Sequence, residues 1–239
     1  MGFLCIYEKK EELLDMKTAI LVDGAFFQKS GYNIWGEKTP KEEADWLIAY
    51  CHRHLKQGQD KVELYRIFYY DCIPSTKRVY NPLTGKTDDL SKSKMYQWNI
   101  DFISELKKKR KVALRLGTIS DENATYMLKN DALKKLCNGR KTIENLTQND
   151  LYLNITQKGV DMKIGLDIST LALKKQVDQI ILIVGDSDFV PASKLARREG
   201  IDFILDPLWT HIKDDLWEHI DGLRSKVSNP KNSELCEIK

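Results

Sequence analysis

The segment Ile180–Val184 (IILIV) is an unbroken run of apolar side chains, and it leads straight into Gly185-Asp186-Ser187-Asp188-Phe189. Such a run, with no polar alternation, suits a strand buried on both faces, as in sheets covered by helices on each side. A strand of that kind delivers the next residues to the carboxyl edge of the sheet, where open α/β sheets bind ligands. Here those next residues include a pair of carboxylates, Asp186 and Asp188.

The rest of the chain alternates in the same style. Thr18–Val22 is a short apolar run closed by Asp23-Gly24. Thr39, Pro40 and Glu42 form a capping box with proline at the first helical position, and Ala44, Leu47, Ile48, Cys51 and Leu55 then recur at helical spacing. Val62–Tyr70 predicts a second strand that stops at Asp71. Residues 74–93, with Pro74, Pro82 and Gly85, predict an exposed loop. Met95, Trp98, Phe102, Ile103 and Leu106 predict a helix ending in the basic run Lys107–Lys111, and Val112–Leu116 a third strand. A helix near Ala124–Cys137 and a short strand over Leu151–Thr156 come next. Lys158-Gly-Val-Asp161 opens an apolar helix that runs to about Lys175. Pro191–Arg198 is helical and stops at Gly200. Ile201–Leu205 is the fifth strand and Ile212–Leu223 the last helix. Strands alternating with helices imply a parallel sheet with right-handed crossovers.

At 239 residues the chain accommodates one sizeable α/β domain. Residues 1–17 read as an N-terminal extension, 18–224 as the domain, 118–157 as an insertion within it, and 225–239 as a flexible tail. No apolar run approaches the roughly 18 residues of a membrane span, and the N-terminus lacks the pattern of a secretory signal. Cys5, Cys51, Cys72, Cys137 and Cys236 are scattered and odd in number, which favours reduced thiols and a cytoplasmic setting over a disulfide framework. The net charge of +3 permits nucleic-acid binding without arguing for it.

The acidic residues carry the functional argument. Asp23 ends the first strand and Asp186 comes just after the fourth. With strand order 3-2-1-4-5 these two strands are neighbours at the switch point, and the two carboxylates lie side by side. Asp188 comes two residues on. Asp161 sits in the first turn of its helix, and Gly165, one turn further, predicts a close approach of that helix to the sheet. Carboxylates meeting in one cleft repel one another, and a shared Mg²⁺ or Mn²⁺ is the simple remedy for an all-oxygen donor set. The alternative is that each Asp is an ordinary cap or turn residue.

Asp71 reads either as an outer acid bordering the cleft or as a turn residue. Asp167 lies about 120° around the helix from Asp161, which favours an ion pair over a direct ligand role. Lys158 and Ser187 are candidate phosphate contacts, and Arg78, in a loop with Lys77, Tyr80 and Lys86, suits single-stranded RNA. Lys158 reads equally as an ordinary exposed residue before a helix, a Ser in the place of Ser187 more often only caps the following helix, and loops of the composition around Arg78 are common without function. His52 and His54 face different ways on one helix and make no metal pair. Trp98, Trp209 and Trp217 sit in apolar patterns and read as core. No glycine-rich phosphate loop or dinucleotide fingerprint occurs. A Toprim-like nuclease would want Glu where Asp23 stands, and an Asp-x-Asp phosphatase would want Asp at Ala25.

Three blocks resemble the NYN family, the LabA-like branch of the PIN-domain superfamily: Ala19-Ile-Leu-Val-Asp-Gly24, Lys158-Gly-Val-Asp-Met-Lys-Ile-Gly-Leu-Asp167, and Val184-Gly-Asp-Ser-Asp-Phe-Val-Pro191. The resemblance spans roughly residues 18–222. It implies a PIN-like Rossmannoid α/β fold with a five-stranded parallel sheet and helices on both faces. It also implies cleavage of RNA by metal-activated water, with Asp23, Asp161, Asp186 and Asp188 matching the family's acidic ligands for Mg²⁺ or Mn²⁺. Many relatives carry Asn soon after the opening Asp-Gly, where this chain has Ala25 and Phe26. The expected partner is single-stranded or looped RNA, with no membrane, and an oligomer is compatible with the sequence. A catalytically silent RNA-binding or regulatory module is the competing reading.

Overall fold

The computed structural model describes residues 16–56, 62–186 and 188–228. Its first unit is β1 (Met16–Asp23), which passes directly into α1 (Gly24–Trp35). The Thr39 capping box is present with both reciprocal bonds, and α2 (Pro40–His54) starts as the sequence predicts. β2 (Val62–Cys72) lies parallel to β1, with one irregularity in register between Thr18 and Ala19. A small antiparallel hairpin, β3 (Arg78–Asn81) and β4 (Lys86–Asp89), occupies the stretch expected to be loop. Next is α3 (Lys94–Lys107), capped by the Ser93 hydroxyl, which accepts from the Tyr96 N–H.

β5 (Val112–Leu128) is far longer than the third strand expected over 112–116. Its second half replaces the start of the expected 124–137 helix, which is reduced to α4 (Asn130–Cys137). β5 continues because β6 (Leu151–Lys158) pairs with it antiparallel, from Thr118↔Lys158 to Leu128↔Leu151, with a register shift between Ser120 and Thr125. The stretch 118–157 is therefore mostly this ribbon and α4. The chain continues through α5 (Val160–Leu173), β7 (Gln179–Ile183), α6 (Val190–Arg198), β8 (Asp202–Asp206), α7 (Asp214–Trp217) and β9 (Gly222–Leu223). The expected last helix over 212–223 is only the single turn of α7, because Asp221 accepts bonds from the Phe203 N–H and Arg197 and directs the chain into β9 beside β8.

The main sheet has seven strands in the order β6-β5-β2-β1-β7-β8-β9. Its five central strands keep the order 3-2-1-4-5 and run parallel, while β6 at one edge is antiparallel and β9 extends the other edge. The fold is α/β with a mixed, mostly parallel sheet of more strands than the five expected.

Alternation along the central strands divides the core in two. Ala19 and Leu21 of β1, with Ile180 and Leu182 of β7, face α5 and α6. Ile20, Val22, Ile181 and Ile183 face Phe27, Leu47, Tyr50 and Phe102 of α1, α2 and α3. Both faces are therefore dry, as the apolar runs require, and the chemistry is left to the strand ends.

Candidate functional site

β1 and β7 pair directly, with Val22 opposite Ile183, so Asp23 and the Gly185–Asp188 segment leave the sheet side by side. Asp23 caps α1, its Oδ1 accepting from the Phe26 N–H at 3.1 Å. Two glycines let these elements meet. A Cβ on Gly24 would strike the Tyr69 side chain and come 2.7 Å from the Tyr70 carbonyl oxygen, and one on Gly185 would overlap the Phe26 ring. Phe26 thus lies on the Gly185 backbone and locks the first turn of α1 against the segment that carries Asp186.

α5 begins at Gly159, whose φ of 79° sets a left-handed entry suited to glycine, and it presents Asp161 in its first turn. Asp161 and Asp188 line one open groove with Gly165 and Pro191. The acids sense one another's charge. Asp23 is pushed up to about 6, by burial first and then by the charges of Asp161 and Asp71, against the stabilising Phe26 N–H. Asp161 is raised by burial and by Asp186 and Asp188. Asp71, buried at the end of β2, is raised by burial despite bonds from Cys72, Tyr69 and Gln157.

Among the described residues, no Lys or Arg forms a salt bridge with Asp23, Asp161 or Asp188. Nor is any group of three or more His, Cys, Asp or Glu among them drawn up so as to hold a metal ion. The acids occupy a common field without forming a ready-made chelate.

The remaining residues singled out from sequence fall in different places. Asp167 is turned away from the acids, where it accepts from Tyr70 Oη at 2.8 Å and Arg115 Nε at 2.9 Å. Lys158 is exposed at the end of β6, opposite Thr118. Arg78 is exposed on β3, opposite Asp89. Ser187 lies outside the described residues. Gly165 corrects an expectation: a Cβ there would meet nothing within 4 Å, so it opens the groove rather than admitting the sheet. Trp98 packs partly buried against the α2–α3 side of the core, but Trp209 and Trp217 are half exposed, because α7 is too short to cover them. The basic run is engaged in ion pairs of Lys108, Lys109 and Lys111 with Glu105, Asp45 and Glu63.

Two sets of residues carry no clear signal in the sequence. One is a buried knot around Asp206, the last residue of β8. Its carboxylate meets Tyr50 Oη at 2.5 Å, His54 Nε2 at 2.9 Å, the Leu208 N–H at 2.9 Å and Ser225 Oγ at 2.6 Å. The rule that singles out Asp23, an Asp closing an apolar strand, applies equally to Asp206. Tyr50 and His54 also lie on the helix face of Leu47 and Cys51, an apolar stripe where a polar pair stands out. The second set is the amides Gln28 and Gln157 around Asp71, which no spacing in the sequence links.

Residues 101–207 match the family model of the NYN domain. The family belongs to the PIN-like superfamily, and NYN domains are generally nucleases, so the match points to nuclease-like, RNA-related function. The matched span holds Asp161, Asp186 and Asp188 but does not reach Asp23. A solved structure of a protein of unknown function from Vibrio parahaemolyticus RIMD 2210633 aligns with a TM-score of 0.42 and 16% identity, covering 87% of this chain and 91% of that one. No curated protein matches the sequence. No helix among the described residues is long and apolar enough to cross a membrane.

Proposed function

We propose that this protein is a metal-dependent endoribonuclease of the NYN kind that hydrolyses phosphodiester bonds in single-stranded RNA, with Asp23, Asp161, Asp186 and Asp188 as ligands for Mg²⁺ or Mn²⁺. The observation that carries the proposal is the chain of repulsion at the β1–β7 switch point, where Asp23 feels Asp161 and Asp161 feels Asp186 and Asp188. Acids held in mutual repulsion fit a hard divalent ion in chemistry, since every donor is a carboxylate oxygen. Repulsion also accounts for the open arrangement, because closer approach would concentrate like charge at one edge of the sheet.

A bound cation of this class lowers the pKa of water and offsets charge developing on a phosphodiester. The protein's own contribution is positional. The Phe26–Gly185 contact fixes Asp23 against the Asp186 segment, and the left-handed turn at Gly159 aims Asp161 at the same edge. Below about pH 6 Asp23 retains a proton, so cation binding competes with that proton and weakens in acid. Lys158, three residues before Asp161, together with Ser187 and Arg78, would hold substrate phosphates. Asp71 supports the site from outside and Asp167 supports α5. A cytoplasmic location accords with the free thiols of Cys51, Cys72 and Cys137.

The open arrangement of the acids also favours a second reading, an RNA-binding module without turnover. A fluorescent single-stranded RNA incubated with Mn²⁺ or Mg²⁺ separates the two. Endonuclease action predicts internal cuts that EDTA stops and that Asp186→Asn reduces by ~10²–10³-fold. Cleavage that survives EDTA or the substitution removes the mechanism, and binding with no cleavage at all selects the silent module.

A further inference from the structure

Asp23 caps α1, and from its first turn that helix presents one stripe, Ala25, Gln28, Lys29 and Tyr32, to a groove of about 560 Å³. Lys94, Met95, Trp98 and Asn99 of α3 line the other side, and Gly36-Glu37-Lys38, the turn after α1, lines the far end. The floor is fixed, because Trp98 Nε1 donates to the Lys38 carbonyl at 2.9 Å and the Trp98 ring stacks on Phe102. Other groups of the groove are unspent. Tyr32 is 63% and Met95 75% exposed. Among the described residues Lys29 and Lys94 form no salt bridge. Lys38 is part of the wall, since its Nζ donates to the Trp35 carbonyl at 3.2 Å and lies over the Trp35 and Trp46 rings. Two acids, Glu37 and Glu43, also line the groove. Glu43 is buried, and burial raises its carboxyl above the usual range, which favours its neutral form. At its near end the groove meets, at Ala25, Gln28, Met95 and Asn99, a smaller cavity of about 260 Å³ that reaches Asp71. Asp71 in turn adds to the charge felt by Asp23. The groove therefore leads away from the acid edge along α1, with Tyr32 about 10 Å beyond Ala25 at the rise of an α-helix.

We propose that this groove holds the unpaired RNA strand beside the scissile bond, whatever its sequence, with Tyr32 stacked on a base and Lys29 and Lys94 meeting phosphates. Proteins grip single strands in this way, with cations along the backbone and aromatic faces under the bases, without reading base edges. The lysines supply the charge that a phosphate backbone needs, and Met95 and Trp98 beside Tyr32 supply an apolar floor for the bases. A duplex keeps its base faces stacked inside and offers the groove only its phosphates, so the floor and Tyr32 favour an unpaired strand. The substrate surface thus includes α1 and α3, in addition to Arg78 on β3 and Lys158 on β6.

This inference rests on the nuclease reading of the adjoining acids, so its test is read without turnover. A labelled oligouridine and a labelled RNA duplex of the same length are titrated with the full chain in EDTA, at several salt concentrations, and followed by fluorescence anisotropy. The single strand binds about tenfold tighter than the duplex, and Tyr32→Ala weakens it by about tenfold, as expected for one lost stack. Lys29→Ala combined with Lys94→Ala lowers the slope of log affinity against log salt by about 1.4, the share of two phosphate contacts on a single strand. A control that replaces Lys134 of α4 and Lys174 at the end of α5 by Ala removes the same charge and leaves the slope unchanged. All the substituted side chains are exposed, so thermal unfolding stays at the wild-type temperature. Equal binding of strand and duplex, affinity and slope unmoved in both groove variants, an equal loss in the control, or no binding at all overturns the groove assignment. With Mn²⁺ added, groove-dependent binding without cleavage leaves the groove standing and removes the nuclease reading. Cleavage indifferent to Tyr32 and the lysine pair does the reverse.

Discussion

Asp23 and Asp206 occupy equivalent places, each the last residue of a parallel strand, with only β7 between those strands in the sheet, and the protein treats them in opposite ways. Asp206 is fully buried and surrounded by Tyr50, His54, Ser225 and the Leu208 N–H. Those bonds tie α2 and residues 225–226 to the end of β8, since the Lys226 N–H in turn donates to Tyr50 Oη at 3.1 Å. Asp23 is met only by the backbone N–H groups of Phe26 and Ala25 at the start of α1, and it faces the like charges of Asp161 and Asp71. A strand-end carboxylate is therefore ambiguous by position, and its partners decide its role. The one whose charge is met by donors holds the fold together. The one that faces like charge is the one proposed as a cation ligand.

The largest expected effect is at Asp206. Asp206→Asn sets an amide nitrogen among the Tyr50, His54 and Ser225 donors, and destabilises by about 3–5 kcal/mol, the usual cost of breaking a buried charged network. For a chain of this size thermal unfolding then falls by on the order of 10 °C. A loss under about 1 kcal/mol would erase the distinction between the two sites.

Next comes the acid edge, where the sign is opposite. Asp23 has a folded-state pKa of about 6 against 3.8 for the free side chain. The folded state thus binds this proton more tightly than the unfolded state, and the resulting stability, full below about pH 4, is lost as pH rises through about 6. Asp23→Asn keeps an N-cap and removes the cost, so it raises stability at pH 7 by ~1–2 kcal/mol and flattens the pH dependence between about 4 and 6. Chemical denaturation across that range checks it, and a destabilised variant would assign Asp23 to the structural class. Millimolar Mn²⁺ stabilises the wild type by mass action and leaves Asp23→Asn unmoved.

The smallest effect is a control. Thr39→Ala removes the cap of α2, the helix that carries Tyr50 and His54, and costs about 1 kcal/mol with RNA cleavage unchanged. A loss of cleavage there would couple the Asp206 knot to the acid edge.

The central fold is legible in the sequence because its signals are local. Apolar runs set the five parallel strands, and the Thr39 box sets the start of α2. α1 is not legible, since Gln28-Lys29-Ser30-Gly31 dilutes its periodicity and its cap, Asp23, doubles as the end of a strand. The true length of β5 depends on pairing with β6, more than twenty residues away, which no window of sequence contains. The acids are legible for the same reason as the strands, each lying within a compact block. The Asp71 amides are not, because Gln28 and Gln157 come from distant elements and meet Asp71 only when α1 and β6 converge on the end of β2.

A crystal soaked in Mn²⁺ and measured for anomalous scattering tests the shared-cation site most directly. Such a site predicts one strong peak at the carboxyl edge between β1 and β7, with Asp23, Asp161 and at least one of Asp186 and Asp188 closed onto it. A peak elsewhere, or these side chains left apart under saturating Mn²⁺, would contradict it.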